Sequence, residues 1–266
     1  MYRVGMSMCE MSFEEKSFNE LAKNEIFDIE ISRPRYEDYE NFDFCGVKKA
    51  AENNGINIWS FHLPFAPFEL IDVSVADKEK RNTAVELLSD LIKKCGSIGV
   101  DKFVVHPSGE PISETERLER LKCSRESLSK LADAAERFNA TICVEDLPRT
   151  CLGNCAEEMK FLIEEDERLK ICFDTNHITA DKPENVIREL KNKIVTLHVS
   201  DFDFVDEKHW IPGDGKINWS EVVKALKDIK YNGVWMYEVG FQSCSGKLTL
   251  SDFKENAEKF CSKIPS

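Results

Sequence analysis

The chain has 266 residues and a net charge of −13, from 49 acidic and 36 basic side chains, with no Lys/Arg-rich block. That balance gives little general attraction for nucleic acid or anionic membranes, and no apolar run approaches the roughly 18–20 residues that cross a bilayer. The length suits one α/β domain with a substantial core.

The first strand-like run, YRVGM (2–6), begins without a basic segment, a signal-length apolar stretch or a cleavage site ahead of it. A cytoplasmic location is expected from the ten cysteines, which look like those of a reduced compartment. Ser12-Phe-Glu-Glu15 fits a capping box and marks a first helix. FDIE then ends on Glu30 and leads into a polar, aromatic loop, 32–43, before a helix over about 45–54. INIWSFH ends on His62, and an irregular loop, 63–75, carries Phe65 and Phe68. Ala84, Leu88, Leu91, Cys95 and Ile98 follow helical spacing as one buried stripe. KFVVH ends on His106, and Ser113-Glu-Thr-Glu116 opens a helix to about 138. TICVE closes on Glu145, followed by a helix over about 155–165. LKICFD closes on Asp174 before a helix over 184–192, and KIVTLH on His198 before a long loop, 199–217. A helix over 219–229, the run GVWMYE ending on Glu238 and a helix over 250–262 complete the chain. Of the ten cysteines, Cys143 and Cys172 fall inside strands and Cys95 on an apolar helix face, as reduced thiols do. Cys151 and Cys155 form a C-x3-C pair with no second pair at zinc-site spacing.

Eight alternations of strand and helix, without a linker or low-complexity tract, predict a single (β/α)8 TIM barrel domain over 1–266. No G-x-G-x-x-G follows the first strand, which argues against an open doubly wound sheet. Parallel barrel strands point their C-terminal ends at one mouth, so the seven residues closing seven of these runs should converge there. Glu145, Asp174, His198 and Glu238 end four consecutive runs. Three carboxylates brought together repel unless a cation neutralises them, and an O,O,N,O set suits one divalent metal: Mn²⁺, Zn²⁺, Co²⁺ or Mg²⁺. The competing account is four unrelated polar ends, each paired with a Lys or Arg. Histidine usage favours the metal: His62, His106, His177 and His198 lie at or just past strand ends, and His209 in the loop after His198. His177 suits either ligation or substrate contact.

The segments FHLPF, VVHPS, VEDLPRT, CFDTNH, LHVSD…HWIPGDGKINW and YEVG together resemble the xylose-isomerase-like barrel superfamily, which includes sugar-phosphate isomerases and epimerases and apurinic endonucleases. In its ketose epimerases the positions matching Glu145, Asp174, His198 and Glu238 hold the metal. Those matching Glu145 and Glu238 are also the catalytic acid/base pair, and the one matching His177 contacts substrate. The resemblance therefore implies a metal-dependent isomerase or epimerase of a sugar, ketose or related polyol, acting through an ene-diolate. The substrate-facing candidates are His62, His106, His177, His209, Arg149 and Trp210, with Phe65 and Trp59 as further apolar wall. An ordinary salt bridge is the bland account of Arg149, and core packing that of the aromatics. The partner expected is a small-molecule sugar or polyol, with no nucleic acid and no membrane, and a homodimer is the family's common state.

The endonuclease branch offers an alternative with three metals and nine ligands: His62, His106, Glu145, Asp174, His177, His198, Glu207, His209 and Glu238, with Arg33, Arg35, Tyr36 and Tyr39 as DNA-inserting candidates. The charge of −13 leaves that reading without its usual electrostatic source. A barrel that binds sugar without catalysis is the third reading. Substitution of Glu238 separates the three: proton exchange, cleavage or affinity alone would be lost.

Overall fold

Strands with bulky apolar residues on one face and small or polar ones on the other need two different environments, and a closed barrel provides both. In a computed structural model describing residues 2–261, eight parallel strands form that barrel. They are β1 (Arg3–Ser7), β2 (Asp28–Ser32), β3 (Asn57–His62), β4 (Lys102–Val105), β5 (Thr141–Glu145), β6 (Leu169–Asp174), β7 (Ile194–His198) and β8 (Val234–Tyr237). β1 pairs with both β2 and β8, and pairing runs in order round to β7. The seam between β7 and β8 closes just beyond β7, where Val199 N donates to the Met236 carbonyl at 2.8 Å and Glu238 N to the Val199 carbonyl at 3.3 Å.

Alternation sorts the side chains. Ile29, Ile31, Phe61, Phe103, Val105, Ile142, Val144, Ile171, Phe173 and Leu197 join the large core between barrel and helices, while Val104, Cys143 and Cys172 form a separate small cluster inside the barrel. Each fully buried large side chain contributes about 1.5–3 kcal/mol. The inward positions beyond that cluster, one residue pair further along, are Glu145 and Asp174. Period two therefore carries the barrel from an apolar floor to a polar mouth. Gly5 belongs to this interior: a Cβ there would lie 2.6 Å from Val234 and 2.8 Å from Met236.

The helices are α1 (Glu15–Lys23), α2 (Phe44–Asn53), α3 (Phe68–Ile71), α4 (Lys78–Ser97), α5 (Glu114–Glu136), α6 (Ala156–Ile163), α7 (Pro183–Leu190), α8 (Trp219–Asp228) and α9 (Leu250–Cys261). They match the sequence expectations within a few residues; residue 262 of the expected last helix lies outside the described residues. Three local readings differ. Ser12 does not cap α1: Glu14 is the N-cap, and Ser12 Oγ pairs with Ser17 Oγ at 2.8 Å. The loop 63–75 is not wholly irregular, since it holds α3. Glu30 is not a strand end, because β2 continues to Ser32 and a register shift at Ile29/Glu30 occurs against β3. Two caps went unread: Asp43 accepts from Gly46 N for α2, and Asp77 from Glu79 N and Lys80 N for α4. Among the described residues no helix is long and apolar enough to cross a membrane.

Candidate active site

Glu145, Asp174 and His198 are the last residues of β5, β6 and β7, and Glu238 follows β8. One ligand atom from each lies within 4.8 Å of the others. His198 Nδ1 is 2.7 Å from Glu145 Oε1, 3.2 Å from Glu238 Oε2 and 4.0 Å from Asp174 Oδ2. Asp174 Oδ1 accepts from Asn176 N at 2.6 Å, whereas its buried Oδ2 has no hydrogen-bond partner among the described residues. Ionised carboxylates at such separations repel by about 3–4 kcal/mol per pair at an effective dielectric near 20. An orphaned acceptor and three crowded carboxylates around one imidazole nitrogen fit a divalent cation, and a structural salt bridge does not explain them: no Lys or Arg pairs with any of the four among the described residues.

Protons occupy part of that role when no cation is bound. Burial disfavours charge on Glu145, but His198 and the hydrogen bonds from His106, His198 and His62 hold its carboxyl well below the usual range. Burial lifts Asp174 well above it. Burial also disfavours charge on His62, yet Glu145 raises that imidazole to about 9. His198 is raised well above the imidazole range against its burial, with Cys172, Glu238, Glu30 and Glu145 around it. His106 moves down, because burial outweighs its bond to Glu145.

The other histidines are aimed by backbone. Nδ1 of His62 donates to the Leu63 carbonyl (2.8 Å), of His177 to Asp146 (2.7 Å) and of His209 to Glu238 (3.0 Å). Nε2 of His62 then faces Glu145 Oε2 at 3.0 Å, beside His106 Nε2 at 3.1 Å. Nε2 of His177 faces Asp174 Oδ2 at 3.7 Å and Glu207 Oε2 at 3.6 Å, and His177, Glu207 and His209 form a second group of possible donors.

Above these groups lies a cavity of about 150 Å³, lined by Glu145, Glu238, His62, His106, His177 and His209 among others. Asp174 and His198 do not line it. Phe65 does, and stacks on His106 with ring centroids 4.4 Å apart. Arg149 lines the rim but is engaged by Glu110 (Nε to Oε2, 3.1 Å), Asp206 (3.2 Å) and Glu207 (3.1 Å), the salt-bridge account of this residue. Arg149 (φ 54°) and His209 (φ 48°) hold left-handed backbone, a conformation costing about 1–2 kcal/mol for a residue with a Cβ. Trp210 is not among the lining residues; its backbone N and O pair with Asp201. Trp59 is away from the mouth, donating to Thr196 Oγ1 at 3.0 Å with Lys102 over its ring.

Sequence reasoning missed the supports beneath the mouth. Asp146 Oδ1 accepts from Asp174 N at 2.7 Å. Asp201 accepts from four donors that fold the loop after β7: Phe202 N and Ile217 N on Oδ1, Gly213 N and Trp219 Nε1 on Oδ2. Neither Asp146 nor Asp201 has a spacing signal of its own.

A family model described as "Xylose isomerase-like TIM barrel" matches residues 5–258. The chain belongs to the xylose isomerase-like TIM barrel family. Within it, the D-psicose 3-epimerase of Ruminiclostridium cellulolyticum is 30% identical over 223 residues, 78% of this chain and 72% of that enzyme. A protein named "Probable endonuclease 4" from Acholeplasma laidlawii is 26% identical over 186 residues, 62% of this chain and 61% of its own length. Among solved structures, a D-tagatose 3-epimerase-like protein superposes with a TM-score of 0.84 at 24% identity, covering 98% of this chain and 97% of that one. The names of the two curated relatives correspond to the two chemistries read from the strand ends.

Proposed function

We propose that this family member is a divalent-metal-dependent epimerase or isomerase of a small sugar, ketose or related polyol. The observation carrying the reading is a division of labour among the four clustered residues: Glu145 and Glu238 open onto the cavity, while Asp174 and His198 sit behind them. Epimerisation needs two bases that reach substrate from different sides. The 30% identity to a named D-psicose 3-epimerase supports the same chemistry.

In this reading Glu145, Asp174, His198 and Glu238 hold one Mn²⁺, Zn²⁺, Co²⁺ or Mg²⁺. When bound, the cation supplies the fixed positive charge that an ene-diolate's oxygens require. The carboxylate of one glutamate removes the proton beside the substrate carbonyl. The other, entering as the carboxylic acid, gives its proton to the opposite face of the same carbon, and exchange with solvent resets the pair. His106, whose Nε2 lies on Glu145 Oε2 and whose imidazole burial keeps neutral, can share a proton that Glu145 takes up, while protonated His62 donates to the same oxygen. His177 and His209 line the cavity as substrate contacts, and the ring of Phe65 excludes water from one wall. Arg149 spans the rim loops.

The test is proton–deuterium exchange at carbon-bound positions, read by NMR. The protein is loaded with Mn²⁺ or Zn²⁺ and incubated in heavy water with ketoses, aldoses and inositol ketones, beside a chelated control. Metal-dependent exchange that falls by about 10²–10⁴ in Glu238→Gln supports the assignment; absence of exchange across the panel counts against it.

One observation favours the second reading, a multi-metal endonuclease. His62 with Glu145 and His198, and His177 with Glu207 and His209, also form groups whose ligand atoms lie within 4.8 Å. Two of the four expected DNA-inserting residues, Arg33 and Tyr39, argue against it, while Arg35 is exposed and Tyr36 half-buried. Tyr39 is buried against Phe42 and Phe61, and the Arg33 guanidinium is bound to the carbonyls of Met8, Cys9, Met11 and Ser32. Cleavage of an oligonucleotide with one abasic site, by the same metal-loaded samples, separates the two.

A further inference from the structure

Glu30 lies in the middle of β2, fully buried, in the barrel interior below the mouth. Both its carboxylate oxygens are 3.1 Å from His198 Nε2, and Ser60 Oγ donates to Oε2 at 2.8 Å. No Lys or Arg pairs with it among the described residues. A buried carboxylate is costly unless a cation or strong donors compensate it, and here His198 and Ser60 are the groups that do. His198 is also held in the opposite sense to its neighbours. His62, His177 and His209 donate Nδ1–H to a backbone carbonyl and present Nε2. His198 gives Nε2–H to Glu30 and presents Nδ1 to Glu145, Asp174 and Glu238.

We infer that Glu30, supported by Ser60, is the positioning residue of the proposed metal centre: it fixes the tautomer and ring plane of His198 so that the Nδ1 lone pair meets the cation. This rests on the metal-centre reading above. The physical warrant is general. A carboxylate accepting the distal N–H of a ligating imidazole sets its orientation and raises its basicity, and loss of such a partner weakens metal binding about 10–100-fold. Because Glu30 sits a layer below the cavity and is not among its lining residues, it acts through His198 and not on substrate.

The experiment compares wild type, Glu30→Gln, Glu30→Leu and Ser60→Ala. Co²⁺ affinity is measured by titration calorimetry, melting temperature with and without Co²⁺, and histidine tautomers by ¹⁵N NMR, which five histidines make tractable. Expected are Co²⁺ dissociation constants raised about 10–100-fold in Glu30→Leu and about tenfold in Glu30→Gln. Ser60→Ala should show a smaller rise. The metal-induced rise in melting temperature should shrink, over and above any fall in the metal-free melt from the broken buried pair, and the His198 Nε2–H signal should be lost or shifted. If Glu30→Leu does not fold, Glu30→Gln and Ser60→Ala decide. A purely structural Glu30 would lower both melts equally and leave affinity and tautomer unchanged, which overturns the inference. Wild type that binds no Co²⁺ overturns it together with the metal-centre reading, so the two failures are distinguishable.

Discussion

At the scale of single residues, the site's charge balance makes a signed prediction. His62, raised from 6.5 to about 9, is protonated in the folded metal-free protein at neutral pH. Its contribution to stability is fully present below 6.5 and is lost as pH rises through about 9. The chelated protein should therefore melt at lower temperature at pH 9 than at pH 6.5. Metal binding runs the other way: His198, also raised, must give up its Nδ1 proton to ligate. Affinity should rise with pH between 6 and 8, with protons released on binding. Calorimetry in buffers of different ionisation enthalpy measures that release, and a pH-independent affinity would contradict the assignment of Nδ1. Glu145, Asp174, His198 and Glu238 were readable from sequence because each closes a strand run, and parallel strands must bring such residues to one mouth. Glu30 closes a run on paper in the same way, but β2 extends two residues further and carries it below the mouth.

At the scale of elements, the loop from β7 to α8 depends on one carboxylate. Asp201→Asn would place an NH₂ against two N–H donors in either amide orientation. These are Gly213 N and Trp219 Nε1, now 2.7 and 2.8 Å from Oδ2, or Phe202 N and Ile217 N, now 2.8 and 3.1 Å from Oδ1. Such a buried mismatch costs about 1–3 kcal/mol. Chemical denaturation should register that loss, and limited proteolysis should find new cuts between 202 and 217. Gly215→Ala tests the same packing, since a Cβ would sit 2.2 Å from Asp201 Oδ1 and 2.3 Å from the Phe202 carbonyl. Equal protease resistance in both variants would show that the loop does not rely on Asp201. The helices themselves were legible, because amphipathic spacing survives whatever they pack against. Caps were less so: a capping box at Ser12 is a local signal, and the chain starts α1 after Glu14 instead.

For the whole molecule, burial decides which of ten thiols can react. Cys45 and Cys244 are exposed, while Cys95, Cys143, Cys151, Cys172 and Cys261 are buried. A thiol reagent should label the first two rapidly, and mass spectrometry should find the buried five modified only after unfolding. Burial lifts the Cys143 thiol to about 12, which further suppresses its thiolate. Saturating Mn²⁺ or Co²⁺ should also raise the melting temperature, by mass action worth about 2.7 kcal/mol at a hundredfold excess over Kd; no rise would count against a resident metal. By itself the sequence determined the barrel, the order of its strands and the residues at its mouth, because period-two and helical patterning and strand polarity are local properties that propagate along a parallel sheet. Tertiary structure alone decided depth and partnership. It put Glu30 beneath His198, tied Arg149 to three carboxylates, kept Trp210 out of the cavity lining and made Asp201 the centre of its loop. Those contacts join residues far apart in the chain, where no local pattern records which side chains meet.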